Sequence, residues 1–98
     1  MHPKALLINE KDNVATALTL ILKGNVVCIW NDDGPIAELR AMEDIPLGHK
    51  IAIRQITKGQ YIVKYGNIIG VASSDIGIGH HVHVHNVRSL RGRSSLRS

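Results

Sequence analysis

The sequence predicts a mainly β protein with one helix, on three observations. Ile and Val recur in short segments along the whole chain, and the aromatic residues are limited to one Trp and two Tyr. Nine Gly and three Pro separate these segments. Short runs rich in β-branched residues and bounded by turn residues are typical of compact all-β bodies. A length of 98 residues with 44% hydrophobic content suits one domain with a modest core.

The predicted strands are distributed along the whole chain. Residues 26–30 form an apolar run, and residues 36–42 follow a strong turn signal at 31–35, which together predict a hairpin. The other strands are predicted at residues 5–8, 51–54, 61–65, 68–72 and 81–85.

The helix is predicted between residues 12 and 23. Asp12 suits the N-cap, Lys23 would lie in the last turn, and Gly24 suits the C-terminal stop. Between these ends, apolar residues recur at the spacing of one helix face. These residues are Val14, Ala17, Leu18, Ile21 and Leu22.

An internal repeat aligns residues 44–56 with residues 75–87 without a gap. Asp, Ile, Gly and His recur at equivalent positions, and a weaker third copy begins at Ile56. The shared unit is Ile-x-x-Gly followed by an alternating strand. The glycine suits a turn that needs a positive φ, and the strand is predicted to bury one face.

The last copy contains four of the six histidines, within residues 79–86. Because successive side chains of a strand alternate, Val82 and Val84 are predicted to face the core. Three histidines then form an outward row that suits a metal, an anion or a polar substrate. Ligands in line do not converge on one ion, so a metal would need further ligands from a second chain or loop. The row consists of His81, His83 and His85. The alternative to a functional site is a solvated or interface strand that happens to be rich in histidine.

The net charge of +4 comes from residues 88–98, which contain four Arg and no acid. Residues 1–87 carry eight basic and eight acidic side chains, so this part is predicted to be neutral. We therefore predict a domain at 1–87 and a basic flexible tail or linker at 88–98. Neither part indicates a nucleic-acid partner, since the domain lacks a basic face and the tail lacks aromatic residues.

Cys28 is the only cysteine and lies in an apolar run, which indicates a core residue rather than a nucleophile. A single cysteine excludes an internal disulfide, which favours a cytoplasmic location. No apolar run reaches the about 18 residues of a membrane span, and the N-terminus lacks a signal-peptide pattern. No membrane partner is predicted.

Five segments together resemble a known domain: residues 44–50 (DIPLGHK), 56–59 (ITKG), 64–66 (KYG), 69–70 (IG) and 79–86 (GHHVHVHN). They are similar to the SAF domain of the altronate and galactarate dehydratases, and to the small subunit of the related sulfolactate sulfo-lyase. The resemblance implies a β-clip fold and a cytoplasmic lyase that acts on sugar acids or a similar 2-hydroxy acid. It also implies a divalent metal, iron or manganese, in the complete enzyme.

The large catalytic region of that family is absent from this chain. The resemblance therefore implies a separate small subunit or an N-terminal domain, not active alone, whose partner is a large catalytic subunit or domain. The oligomeric state is left open, and a homo-oligomer is compatible with the sequence.

The dehydration of a hydroxy acid removes a proton next to the carboxylate and expels hydroxide, which requires a cation and a proton donor. On the resemblance, we assign His83 and His85 to catalysis and, together with the partner chain, to the metal. The residues assigned to substrate binding are His49, Lys50, His81 and Asn86.

Three alternatives accompany this assignment. The chain is compatible with the small subunit of a sulfolactate sulfo-lyase, in which sulfite rather than water leaves. It is also compatible with a non-catalytic module that binds sugars or peptides, and with a stand-alone metal-binding protein. The row of histidines favours the lyase among them.

Overall fold

The computed structural model describes residues 2–90, which form two β-sheets. This confirms the mainly β prediction and is compatible with the β-clip fold that the resemblance implies. The strands are β1 (Lys4–Leu6), β2 (Val14–Ala17), β3 (Val26–Asn31), β4 (Gly34–Arg40), β5 (Lys50–Ala52), β6 (Tyr61–Lys64), β7 (Asn67–Ala72), β8 (His81–Val82) and β9 (Val87–Arg88).

The larger sheet has six strands in the order β4-β3-β1-β2-β5-β8, and the smaller sheet has the order β6-β7-β9. β1 and β3 run parallel, and the other pairs of these strands are antiparallel. The predicted hairpin is formed by β3 and β4, while β6 and β7 form a second hairpin. The histidine-rich segment therefore lies at one edge of the larger sheet.

Four copies of the pattern Ala-x-x-x-Ile-x-x-Gly connect the strands. The Ala and Ile of each copy are buried, and its Gly has a φ between 84° and 91°. This conformation favours glycine, which lets the chain turn directly after each isoleucine. The copies contain Ala17, Ile21 and Gly24; Ala41, Ile45 and Gly48; Ala52, Ile56 and Gly59; and Ala72, Ile76 and Gly79.

The copies associate two by two. Ile21 and Ile45 exchange backbone hydrogen bonds of 2.9 and 2.8 Å, and we call their two copies the first pair. Ile56 and Ile76 exchange bonds of 2.9 and 2.7 Å in the second pair. Each pair belongs to one of two buried hydrophobic clusters. Since burying one isoleucine contributes about 1.5–3 kcal/mol, these four side chains are a substantial part of the core.

Residues 12–23 are not helical, so the helix prediction is wrong. Val14–Ala17 form β2 between β1 and β5, and Ile21 belongs to the first pair. The residues of the predicted helix face do not lie on one buried face. Val14, Ala17 and Ile21 are buried, whereas Leu18 and Leu22 are 44% and 50% exposed. The physical reason is that sheet pairing and the tight turn at the motif outweigh a coincidental helical spacing.

Asp12 is a buried anchor and not a helix cap. Its carboxylate accepts hydrogen bonds from the backbone amides of Asn9, Tyr65 and Gly66 at 3.1, 2.9 and 2.8 Å. These bonds offset the cost of burying the carboxylate. They also fix the tip of the second hairpin, where Tyr65 has a φ of 57°.

The predicted strand at residues 81–85 ends after Val82. The buried side chain of Asn86 accepts a hydrogen bond from the amide of His83 at 2.9 Å and donates one to the carbonyl of His81 at 2.8 Å. These bonds close a turn that takes the chain away from the sheet. Val82 is buried as predicted, whereas Val84 is 80% exposed, so the prediction that Val84 faces the core is wrong.

The last strand of the described residues is β9, which pairs with β7 through Val87–Arg88. The predicted tail at 88–98 begins in this strand, and residues 91–98 lie outside the described residues. Between residues 2 and 90, no helix is long and apolar enough to cross a membrane.

Candidate functional site

The candidate site lies where β5 pairs with β8. Lys50 is opposite Val82 and Ile51 is opposite His81 in this antiparallel pair. Continuing the register by one residue sets His49 opposite His83. The turn at Gly48 and the buried turn at Asn86 therefore bring together histidines that lie more than thirty residues apart.

Three half-buried imidazoles form a compact cluster, which we call the histidine cluster: His49, His81 and His83. Nδ1 of His49 lies 2.8 Å from Nε2 of His81, a hydrogen-bond distance. The rings of His49 and His83 stack with centroids 4.0 Å apart. One nitrogen from each of the three rings lies within 4.8 Å of the other two. The three ring nitrogens therefore converge within one chain, which a straight strand would not allow.

His85 lies at the rim of the cluster and is exposed. Its ring centroid is 5.1 Å from that of His81. The group of three convergent nitrogens contains His83 but not His85. His85, which the sequence analysis assigned to the metal, is therefore not one of the three convergent histidines. Its side chain is exposed to solvent.

The surroundings of His81 and His83 favour neutral imidazole. Partial burial lowers the pKa of His81, and the neighbouring His85, His49 and His83 lower it further, against an opposing effect of Glu43. Partial burial also lowers the pKa of His83, as do His49 and Lys50. A hydrogen bond between two imidazoles requires one ring nitrogen to act as acceptor, which is consistent with neutrality. Neutral imidazole is the form that ligates metals and accepts protons.

Glu43 holds the start of β8 in place. Its Oε2 accepts a hydrogen bond from Nδ1 of His80 at 2.9 Å and another from the amide of His81 at 3.0 Å. Burial raises the pKa of Glu43, but the bonds from His80 and from the His81 amide outweigh it, so the net pKa is lowered. The carboxylate is therefore ionised near neutral pH and fixes the backbone from which His81 projects.

A cleft of about 250 Å³ adjoins the cluster. Lys50 and His83 line it together with apolar side chains of β7, β8 and β9. Burial lowers the pKa of Lys50, and the nearby charge of Lys64 lowers it further. The cleft thus presents a half-buried cation directly beside an imidazole.

The predicted site residues lie at one sheet edge, but their environments differ. His49, His81 and His83 form the cluster, and Lys50 lines the cleft. Asn86 is buried, and both polar ends of its side chain bond to backbone groups of residues 81–86, which we call the histidine turn. The sequence did not indicate Glu43. It lies one residue before the first aligned copy, and the residue before the second copy is Ser74, so the repeat carries no signal for it.

Comparison with known proteins gives one family and two kinds of relative. The sequence model of the altronate/galactarate dehydratase SAF domain matches residues 3–90. The altronate dehydratases of Bacillus subtilis and Escherichia coli are each 43% identical to this chain over 82 residues. The matched segment covers 84% of this chain but only 16% of the length of either dehydratase.

The second kind of relative is a short subunit. Subunit alpha of the (2R)-sulfolactate sulfo-lyase of Paracoccus pantotrophus is 36% identical over 66 residues, which cover 67% of this chain and 98% of that subunit. The same type of domain therefore occurs within a long dehydratase and as nearly the whole of a separate subunit.

Proposed function

Because this chain belongs to the family of altronate/galactarate dehydratase SAF domains, we propose that it is the small subunit or N-terminal domain of a sugar-acid dehydratase. In this proposal it contributes histidines to a site shared with a large catalytic subunit or domain. It is inactive alone, because the matched segment is only 16% of the length of the altronate dehydratases.

The observation that carries the proposal is the convergence of His49, His81 and His83 at the sheet edge. Half-buried imidazoles that hydrogen-bond and stack on one another are costly to assemble for stability alone, since their polar atoms lose water. Clusters of groups with lowered or raised pKa values are concentrated at functional sites. The open side of the cluster, with the exposed His85, is available to a larger partner.

The donor set fits a divalent metal. Bonds of about 2.1 Å in a tetrahedral or octahedral shell place ligand nitrogens roughly 3–3.5 Å apart. The three nitrogens lie within 4.8 Å of one another, so small side-chain rotations bring them into this range. Imidazole ligands suit iron better than manganese, which prefers carboxylate and water oxygens. We therefore propose His49, His81 and His83 as ligands of iron, with the partner completing the shell.

When bound, the metal supplies positive charge beside the carboxylate and the hydroxyl of the substrate. His83 and His85 remain our proposed catalytic residues. In this proposal His85, which is exposed at the rim, gives a proton to the departing hydroxyl. His83, which lines the cleft beside Lys50, acts through the metal that it would help to hold. Asn86 and Glu43 keep the backbone of this loop in position through three hydrogen bonds to it.

A chimera tests the proposed function. Residues 2–90 of this chain would replace the corresponding segment of the Bacillus subtilis altronate dehydratase, and the loss of water from altronate would be assayed. We expect activity in the chimera and none in the dehydratase lacking its own segment or in this chain alone. A folded chimera without activity, or turnover by this chain alone, would contradict the proposal.

The second candidate is the small subunit of a sulfolactate sulfo-lyase, because the match covers 98% of subunit alpha of that enzyme. The chemistry differs in the leaving group, which is sulfite rather than hydroxide. Assaying both altronate and sulfolactate with the matching large chains separates the two candidates by the product that is released.

A further inference from the structure

We propose that the apolar side chains along the cleft, which we call the apolar patch, are the surface on which the large catalytic chain docks. The patch consists of Ile69, Val84 and Val87. The docked chain would contribute apolar side chains next to the group that completes the metal shell, and it would close the cleft over Lys50 and His83. This inference rests on the proposed function and deepens it, because it assigns the contact surface to named residues.

Val84 is held in an exposed position by the histidine turn. It is the most exposed of the large hydrophobic side chains in residues 2–90, although it lies between two histidines of the candidate site. The amide of Asn86 donates a hydrogen bond to the carbonyl of His83 at 3.0 Å, and the Asn86 side chain makes two further bonds to this turn. A partner that buries Val84 therefore loses little entropy in ordering it.

The second hairpin contributes Ile69 to the patch. Ile69 has no cross-strand partner in the pairing of β7 with β6, because the register shifts there. Ile68 and Ile69 are consecutive and both exposed, as is possible at a bulge. Ile69 and Val84 line the same cleft, so the exposed apolar surface is shared by two segments. A continuous apolar surface of this kind indicates an interaction site more strongly than a single exposed residue does.

The apolar patch is continuous with the proposed metal site. His83 lines the cleft together with Ile69 and Val84, and it also belongs to the histidine cluster. A group of the large chain that reaches a metal on His83 therefore comes next to Val84 on one side and to the cleft on the other. The edge strand β4 lies at the opposite side of the larger sheet from β8 and need not be touched.

The match to the family also ends beside this cleft. The SAF model matches residues 3–90, and Ser89 lines the cleft with Ile69 and Val84. As the N-terminal domain of a longer chain, the domain would therefore continue directly from the apolar patch. Linkage at this point keeps the following chain at a high effective concentration beside the patch, which favours docking there.

Docking on the patch would have a chemical consequence for the site. Burial of the apolar side chains drives the association, while the removal of water from the cleft strengthens the electrostatic interactions of Lys50 and His83. The isolated chain leaves the cleft open to water. The large chain would thus complete the environment of the site as well as the metal shell.

Thiol labelling of the full chain and of the chimera tests the docking surface. Val84→Cys and Ile69→Cys are each made in a Cys28→Ser background, and the labelled peptide is identified by mass spectrometry. We expect each labelling rate to be at least about tenfold lower in the chimera than in the isolated chain, as at the water-excluded centre of an interface.

Ile36→Cys is the matched control in the same background. Ile36 is 46% exposed, close to the 41% of Ile69, and it lies on β4 at the opposite edge of the larger sheet. Its labelling rate should differ by less than about twofold between the isolated chain and the chimera, since it lies outside the proposed interface. The far-ultraviolet circular dichroism of each variant reports whether it remains folded.

Equal labelling of the isolated chain and the chimera at positions 69 and 84 would overturn the docking surface, and so would equal protection of Ile36→Cys. Protection within the isolated chain that increases with its concentration would assign the patch to a second copy and also overturn the proposal. The result is independent of turnover. An active chimera without protection would remove the surface and keep the proposed function, whereas a protected but inactive chimera would do the reverse.

Discussion

The first and second pairs have the same backbone and different chemistry. In the first pair, the amides of Gly24 and Gly48 donate to the carbonyls of Ala41 and Ala17, each at 2.8 Å. In the second pair, Gly59 and Gly79 make the equivalent bonds to Ala72 and Ala52 at 2.9 and 2.8 Å. The comparison shows that the Ala, Ile and Gly of the motif determine the backbone arrangement of each pair. The residues that follow the motif determine which side chains each copy presents.

Two equivalent turns show this division. Gly48 is followed by His49, whose ring joins the histidine cluster, and Gly79 is followed by His80, whose ring bonds to Glu43. The turns are alike in φ, at 84° and 88°. What differs is the next residue: Lys50 projects into the cleft in one copy, whereas His81 enters the cluster in the other. Two copies of one backbone pattern thus place different side chains next to each other.

The largest contrast between the copies should come from their glycines. A Cβ on Gly79 would lie 2.2 Å from the carbonyl oxygen of Arg40, whereas a Cβ on Gly48 would meet nothing within 4 Å. Gly48→Ala should cost only the about 1–2 kcal/mol of left-handed strain. Gly79→Ala adds overpacking of about 1–3 kcal/mol. Urea denaturation checks this difference, and equal losses would show that the two turns are packed alike.

The next contrast concerns His49 and His80, and it rests on the proposed metal site. His49→Ala removes a ligand and should weaken Fe(II) binding by about 100-fold or more, beyond the loss caused by residues that only orient a ligand. His80→Ala should change it by less than about tenfold, since His80 acts through Glu43. Anaerobic calorimetry with Fe(II) measures both. Equal effects would mean that the two histidines are equivalent in function as well as in position.

A smaller effect, expected to be the same in both pairs, tests the shared frame. Asp44 accepts a hydrogen bond from the amide of Lys23 at 2.8 Å, and Asp75 accepts one from the amide of Lys58 at 2.8 Å. Asp44→Ala and Asp75→Ala should each lower the free energy of unfolding by about 1 kcal/mol, as loss of a capping side chain does. Thermal unfolding of the two variants should coincide, and a clear difference would argue against an equivalent role.

The smallest effect is a pH dependence of stability that comes from His81 and His83, which follow the last copy of the second pair. The folded-state pKa values of His81 and His83 lie below the ordinary value of 6.5, so the unfolded chain binds more protons. Stability should therefore be complete above that value and fall as the pH drops through it. Glu43 has a lowered pKa, and its contribution is lost only at pH below its ordinary value of 4.5.

Replacing both His81 and His83 with Gln tests the pH dependence. The double variant should show a flatter stability profile between about pH 7 and pH 5, with the decline below pH 4.5 retained. Denaturant titrations at several pH values provide the measurement. A slope that persists in the double variant would assign it to other groups.

The sequence predicted the parts of the fold that depend on local pattern. The alternating apolar segments and turn signals predicted all the strands of residues 2–90 except β2 and β9, and the repeat related His49 to His80. It also indicated Val82 as a core residue. These features depend on side-chain spacing and on glycine, both of which are visible in one segment at a time.

The rest depended on contacts between distant segments. Val14–Ala17 form a strand because β1 and β5 lie on either side, which helical spacing in residues 12–23 conceals. Val84 is exposed because Asn86 bonds back to His81 and His83. The convergence of His49 on the histidine turn required the β5–β8 register, which no local pattern specifies. The assignment of roles to individual histidines stays a prediction.

The hydrogen bond between His49 and His81 has a thermodynamic consequence, because the two histidines follow copies that belong to different pairs. Whatever binds both rings is bound by the assembled protein and not by either pair alone. Such a ligand would raise the free energy of unfolding by RT ln(1 + [L]/Kd), so its binding and the docking of the two pairs are linked equilibria. A ligand that contacts both rings would therefore bind only when the two pairs are packed together, and its binding would favour that packing.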